Sequence, residues 1–171
     1  MIDRTHDRPT VATIDQDASV IESAKDEARP TYLGDRGYQP VINYWAEKDM
    51  ILADEFRDGN VPAAYDLLSS LLRSVEMLPD TVTEVRYRAD SASYNHDLMN
   101  ALRPGLTLHG RRINTFFAIS ADMTESLKGE IEKLPEDTWK PGDEVRYYYK
   151  DPARALRFMN VSKTDVNRAG E

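Results

Sequence analysis

Val85-Arg86-Tyr87-Arg88-Ala89-Asp90-Ser91-Ala92-Ser93-Tyr94 is the stretch on which the fold turns. Apolar and charged side chains alternate through it, as in a strand, and Asp90 stands at its end, shortly before a helix predicted over residues 95–102. Upstream, Thr10-Val11-Ala12-Thr13-Ile14-Asp15-Gln16-Asp17-Ala18-Ser19 repeats the arrangement. Side chains of a strand alternate between its faces, so Asp15 and Asp17 share one. Two strand-borne carboxylate sites, far apart in sequence, invite a shared Mg²⁺ or Mn²⁺.

Outward from these strands the coarse pattern is regular. A polar, glycine-bearing connector covers residues 22–37. Residues 40–46 and 50–56 read as a hairpin about the turn Glu47-Lys48-Asp49. After Asp58-Gly59-Asn60, residues 63–77 carry Leu67, Leu68, Leu71, Leu72 and Val75 at helical spacing, with Pro62 near the first turn. Residues 81–88 form the strand that leads to Asp90, and Pro104-Gly105 stops the helix that follows. Ile113-Asn114-Thr115-Phe116-Phe117-Ala118-Ile119 is a further strand and residues 123–134 a charged helix; residues 144–150 and 155–161 read as strands around Asp151-Pro152. Residues 1–9 and 162–171 are polar tails.

Composition bounds the chemistry. At 171 residues the chain is one ordinary domain, able to bury a core without disulfides or structural metal. It has no cysteine, which excludes thiolate metal sites and makes a reducing cytoplasm the natural compartment. His6, His96 and His109 show no ligand spacing, so zinc chemistry is not expected. The N-terminal residues are charged, without the apolar core of a signal peptide, and no apolar run is long enough to span a bilayer. The net charge of -8 argues against a chain that grips DNA unaided, since Lys and Arg on phosphates supply most non-specific affinity.

Four blocks in order, Ile14-Asp15-Gln16-Asp17-Ala18-Ser19, Tyr32-Leu33-Gly34-Asp35-Arg36-Gly37-Tyr38-Gln39-Pro40, Glu55-Phe56-Arg57-Asp58-Gly59-Asn60-Val61-Pro62 and Arg88-Ala89-Asp90-Ser91-Ala92, resemble the catalytic domain of the DDE-class insertion-sequence transposases (transposase DDE domain, group 1). The resemblance runs from about Val11 to Pro141. It implies an α/β, ribonuclease H-like fold, a mixed central sheet with helices on its faces, over residues 10–161. The order strand, strand, strand, helix, strand, helix, strand matches that fold. By the same resemblance the activity is Mg²⁺- or Mn²⁺-dependent cleavage and strand transfer of the ends of bacterial insertion sequences. DNA and other transposase chains are then the partners, with a homo-oligomer when the protein is complete. Transposases of this kind carry DNA-binding surface on flanking segments, and a metal site is itself acidic until occupied, which softens the charge argument.

In that family three acids hold two metal ions for an in-line displacement at phosphorus. Asp90 takes the place of the second acid; the plainer account is a solvated Asp capping the helix after the strand. The first acid is Asp17 on the shorter signature Asp-x-Ser/Thr, with Asp15 its neighbour or a supporting group; on the plain account one of them caps the turn at Ala18-Ser19. The third, a Glu on a helix well past the region of Val161, is expected to be missing. Glu130, Glu132 and Glu136 belong to a charged face that reads as solvated. The expectation is therefore a core truncated at its C-terminal side and inactive alone. The alternatives are a non-catalytic transposase remnant that binds DNA or protein, and a metal-dependent nuclease of the same fold.

Candidates for DNA contact are Arg36, Tyr38, Arg57, Asn60 and Arg88. The loop around Arg36 and Tyr38 suits a phosphate or a base; equally it is a glycine turn with tyrosines packed on the sheet. Arg57 and Asn60 either line the site or belong to an ordinary strand end and turn with an Arg-Asp pair. Arg86 and Arg88, alternating with apolar neighbours, on the plain account balance nearby acids. Tyr147-Tyr148-Tyr149 reads as strand core and edge rather than a stacking platform.

Overall fold

The computed structural model describes residues 8–121, 124–135, 139–141 and 147–149. The chain divides into two compact units, one running to Phe117 and the other from Ala118.

The first unit is built on β1 (Val11–Ala18), the hairpin β5 (Val41–Trp45) and β6 (Met50–Glu55), β7 (Glu84–Ala89), β8 (Leu106–Leu108) and β9 (Arg111–Ile119), in the sheet order β6-β5-β1-β7-β9-β8. β1 is central. It pairs antiparallel with β5 and parallel with β7, and β5 pairs antiparallel with β6. The hairpin turn is a 3₁₀ segment, Ala46–Lys48, closed by Asp49 in the left-handed region at φ 51°. The mixed α/β class and the strands expected about residues 10–17, 40–46, 50–56, 81–88 and 113–119 are therefore present.

Period-two patterning accounts for which face is buried. Ala12, Ile14 and Gln16 of β1 share a face with Val41, Asn43 and Trp45 of β5 and with Val85 and Tyr87 of β7, and all are buried. Helix α1 (Leu67–Glu76) covers that face with Leu67, Leu71 and Val75, spaced four residues apart, and with the small buried Ser70 and Ser74. α1 begins four residues later than the apolar spacing suggests. Val61 and Tyr65 amides close turns onto Asp58 and Pro62 carbonyls, and Asp66 lies at φ 44°, so the backbone turns right-handed only from Leu67. Leu68 and Leu72 line a groove that also takes in Ala101 of α2 (His96–Leu102) and residues 105–107 and 109–110. The other side of the sheet carries Thr13, Asp15 and Asp17 beside Arg86 and Arg88.

The connector over residues 22–37 is not featureless. With Ile21 it forms a small sheet, β2 (Ile21–Glu22), β3 (Arg29–Pro30) and β4 (Arg36–Tyr38), in the order β2-β4-β3. Glycine makes this possible at two positions. A Cβ on Gly37 would collide with the Ile21 carbonyl, and one on Gly59 would lie 2.5 Å from the Gly37 carbonyl oxygen and 2.8 Å from that of Arg29. The Gly59 amide donates to that Gly37 oxygen at 3.0 Å, fixing the turn after β6 against the small sheet. β8 was not anticipated either; it pairs antiparallel with β9 through Leu106 and Ile113.

In the second unit, α3 (Glu125–Glu132) is capped by Thr124, whose hydroxyl accepts from the Leu127 amide at 3.2 Å. Glu130 and Glu132 are exposed there, as the charged pattern implied. β10 (Trp139–Pro141) pairs antiparallel with β11 (Tyr147–Tyr149), within the strand expected over 144–150. Glu136, the strand expected over 155–161, residues 1–7 of the N-terminal tail and the tail at 162–171 lie outside the described residues.

Candidate functional site

Parallel pairing of β1 and β7 brings the two acidic blocks together. Asp15 stands opposite Arg88 and Gln16 opposite Ala89, the last pair of the ladder, and Asp17 and Asp90 are the residues that follow on the two sides. In a ladder of this kind neighbouring backbones run about 4.8 Å apart. Thr13, Asp15 and Asp17 alternate onto the face of Arg86 and Arg88, and Asp17 and Asp90 are both exposed.

Each carboxylate is held on one side only. Asp17 Oδ2 accepts from Ser19 Oγ at 2.5 Å, and Asp90 Oδ1 accepts from the Ala92 amide at 3.0 Å, where Asp90 caps the 3₁₀ turn Ser91–Ser93. The helix α2 itself is capped by Asn95, whose side chain accepts from the Asp97 and Leu98 amides, so Asp90 caps the 3₁₀ turn before it and not that helix, and Asp17 bonds the Ser19 side chain. Neither bond uses the second oxygen. Asp15 is different: Arg88 Nε and Nη2 donate to its two oxygens at 2.5 and 2.6 Å. Asp15 in turn holds the Arg88 guanidinium above its ordinary pKa against the opposing effect of burial. Among the described residues no group of three or more His, Cys, Asp or Glu has a metal-binding arrangement. Two exposed carboxylates on adjacent strand ends, each with one oxygen uncommitted, do fit a hard divalent cation of the Mg²⁺ kind, which keeps several waters and takes one or two protein carboxylates.

Beneath the acids runs a buried polar chain. The Tyr87 hydroxyl donates to Gln16 Oε1 at 2.6 Å and stands 3.1 Å from Ser93 Oγ. Since a hydroxyl has one proton and Gln16 Oε1 can only accept, Ser93 donates to Tyr87. Gln16 Nε2 donates to Asn43 Oδ1 at 2.8 Å and to the Leu67 carbonyl at 3.1 Å, and Asn43 Nδ2 donates to Ser70 Oγ at 2.8 Å. Burial pushes the Tyr87 phenol up, against the lowering effect of Ser93, so it stays a donor. β1, β5, β7, α1 and the turn capped by Asp90 are thus tied through one network. Gln16, between Asp15 and Asp17 but on the opposite face, is its centre. The polar residues at otherwise apolar strand positions, Gln16 and Asn43, were the signal available in the sequence.

The remaining candidates gather at the same end of the sheet, because Ala18 pairs with Val41 and Val41 with Glu55. Arg36 Nε donates to the Ala28 carbonyl at 2.9 Å and Nη2 to that of Asp26. The Tyr38 ring lies 4.7 Å from that of Phe56. Arg57 is buried; its Nε donates to Glu55 Oε1 at 2.8 Å, its Nη1 to the Tyr65 carbonyl at 2.6 Å, and its guanidinium sits 5.6 Å from the centre of the Tyr65 ring. Its ionic partner is Glu55 and not the adjoining Asp58. Glu55 also pairs with Arg73, and the Arg57 hydrogen bond, ahead of burial acting the other way, draws its carboxyl below the ordinary range. Asn60 is exposed in the turn.

A protein-family profile described as a domain of unknown function (DUF4881) matches residues 114–169, a stretch that begins inside β9 and contains none of these side chains. No curated protein and no solved structure matches the chain. No helix among the described residues is long and apolar enough to cross a membrane.

Proposed function

We propose that the chain is the ribonuclease H-like catalytic core of a DDE-class insertion-sequence transposase, acting in the cytoplasm on DNA ends together with further copies of itself. The observation that supports this reading is the parallel pairing of β1 with β7, which puts Gln16 opposite Ala89 and leaves Asp17 and Asp90, both exposed, as the residues that follow. Three antiparallel strands followed by a helix and a strand parallel to the first is also the order expected of that fold. Asp17 and Asp90 would hold a Mg²⁺ or Mn²⁺, whose contribution is to stabilise charge on the oxygens about the phosphorus. Asp15, neutralised by Arg88, supports its neighbour rather than ligating.

The test is Mn²⁺ titration followed by electron paramagnetic resonance. Asp17→Asn and Asp90→Asn should each abolish binding, while Asp15→Asn should retain it. Unchanged affinity in both of the first two variants overturns the reading.

A second reading, a non-catalytic module that keeps the fold and binds DNA or protein, is favoured by the two-carboxylate site and the net charge of -8. It predicts no scission of end-bearing DNA in Mn²⁺. A metal-dependent nuclease would instead cut without regard to end sequence.

A further inference from the structure

The two segments that carry Asp17 and Asp90 are joined below the surface by side chains that touch neither carboxylate. Gln16 (3% exposed), Tyr87 (0%) and Ser93 (2%) form an unbroken buried strut: Ser93 Oγ donates to the Tyr87 hydroxyl at 3.1 Å, and that hydroxyl donates to Gln16 Oε1 at 2.6 Å. Each end of the strut adjoins an acid. Gln16 directly precedes Asp17 on β1, and Ser93 closes the 3₁₀ turn that Asp90 caps through the Ala92 amide. The Ser93 amide also donates to the Asp90 carbonyl at 3.2 Å, so a shift of Ser93 is passed to Asp90 through the backbone. Gln16 is pinned from the other direction, its Nε2 donating to Asn43 Oδ1 at 2.8 Å and to the Leu67 carbonyl at 3.1 Å.

Apolar side chains would fill these buried places without fixing a unique arrangement. Polar side chains that satisfy one another in a dry interior hold one geometry, because sliding would leave a donor or an acceptor unpaired. What that geometry controls depends on the ion. Mg²⁺ demands near-ideal octahedral coordination at about 2.1 Å, whereas Ca²⁺ accepts six to eight oxygens at about 2.3–2.6 Å in flexible arrangements. Carboxylates on loosely held strand ends would suit the larger ion at least as well.

Building on the proposed function, we infer that Gln16, Tyr87 and Ser93 are positioning residues: they hold the segments bearing Asp17 and Asp90 in one arrangement, and the site thereby takes Mg²⁺ in preference to Ca²⁺. Ser93 sets the turn from which Asp90 projects, and Gln16 sets the end of β1 from which Asp17 projects.

The experiment is Mn²⁺ binding to the full chain followed by electron paramagnetic resonance, with Mg²⁺ and Ca²⁺ as competitors at constant ionic strength. The natural chain should bind Mg²⁺ more tightly than Ca²⁺. Ser93→Ala, which leaves the bond between Tyr87 and Gln16 in place, should weaken Mg²⁺ and Mn²⁺ about tenfold, the low end of what supporting residues of a metal site cost. It should weaken Ca²⁺ by less than about threefold, since that ion tolerates a looser site. Tyr87→Phe breaks the strut at its middle and should lower the Mg²⁺/Ca²⁺ ratio in the same direction. Ser74→Ala is the control: it removes a buried hydroxyl that donates to the Ser70 carbonyl at 3.2 Å, apart from Gln16, Tyr87 and Ser93, and should leave the ratio as in the natural chain. A general loss of stability lowers the binding of both ions together, so only a change in their ratio reports positioning. Ca²⁺ bound as tightly as Mg²⁺ by the natural chain, a measurement that needs no variant, overturns the inference. So does an unaltered ratio in Ser93→Ala, or an equal shift in Ser74→Ala. Mn²⁺ binding that depends on Asp17 and Asp90 but shows no effect of the strut removes the positioning role and leaves the metal centre; no Mn²⁺ binding, or binding indifferent to Asp17→Asn and Asp90→Asn, removes both.

Discussion

Removing one oxygen atom from the molecule should be costly if the buried chain of hydrogen bonds is as described. Tyr87 is fully buried, and its hydroxyl satisfies Gln16 Oε1 while accepting from Ser93. Tyr87→Phe removes both bonds, leaves the ring in place, and strands a buried amide oxygen that water cannot reach. Two lost hydrogen bonds at about 1 kcal/mol each, with a further 1–3 kcal/mol for the unpaired acceptor, give a loss of about 3–5 kcal/mol. For a chain of this size that is a fall of about 6–20 °C in Tm. Tyr44→Phe is the matched control, because its hydroxyl meets Asp49 in an exposed setting and should cost no more than about 0.5 kcal/mol. Urea unfolding followed by circular dichroism measures both. A double-mutant cycle of Tyr87→Phe with Gln16→Met should show coupling of about 1 kcal/mol or more, since the two share a bond. A loss below about 0.5 kcal/mol for Tyr87→Phe would refute the account, because Gln16 would then have another donor.

Acid should unfold the protein partly through two carboxylates. Arg57 holds the Glu55 carboxyl low, and at Glu47 hydrogen bonds from the Thr13 hydroxyl and amide outweigh burial, which acts upward. Both folded values lie below the unfolded one, so their stabilisation is complete above the ordinary glutamate range of about 4.3 and is lost as pH falls through the folded values. Glu55→Gln should therefore flatten the decline of urea midpoint between about pH 5 and 3, and a decline parallel to that of the natural chain would count against it. Gly59→Ala should detach the small sheet from the turn after β6, seen as faster hydrogen exchange at the Gln39 and Gly59 amides; unchanged protection there would mean the backbone yields to the extra carbon. Arg88→Gln leaves Asp15 unpaired beside Asp17 and should raise Mn²⁺ affinity severalfold, with stability changed by less than about 1 kcal/mol because the ion pair is half exposed. Equal Mn²⁺ affinity would show that Asp15 cannot reach the site.

Legibility from sequence followed the physics of each feature. β1, β5, β6, β7 and β9 could be read because alternation reports burial directly, and α1 because leucines recur on one stripe. Asp17 and Asp90 could be named as strand-end acids, but the parallel pairing of β1 with β7 that relates their strands joins segments far apart in the chain, which no local pattern encodes. The Asp15–Arg88 pair has the same origin: opposite charges were visible, the pairing that aligns them was not. The small sheet escaped because two- and three-residue strands bury almost nothing and leave no periodicity; Gly37 and Gly59 were visible only as turn residues, whereas close backbone approach is what requires them. Arg57 escaped differently. A charged residue next to Asp-Gly-Asn suggests a solvated turn, and its burial becomes intelligible only with Glu55 and the Tyr65 carbonyl around it.

The central position of β1 also bears on how the chain matures. Its antiparallel partner β5 follows closely, so β1, β5 and β6 can assemble as soon as they leave the ribosome. Its parallel partner arrives much later, Arg88 lying 73 residues beyond Asp15. At about 5–20 residues per second, synthesis takes roughly 4–15 s to cover that span. Throughout it the outer edge of β1 offers unpaired amides and carbonyls to any other nascent strand. Closing so long a loop is also the slow kind of pairing. Vulnerability to misassociation is thereby concentrated in one interval of translation, ended when the Val85–Ala89 segment emerges and docks.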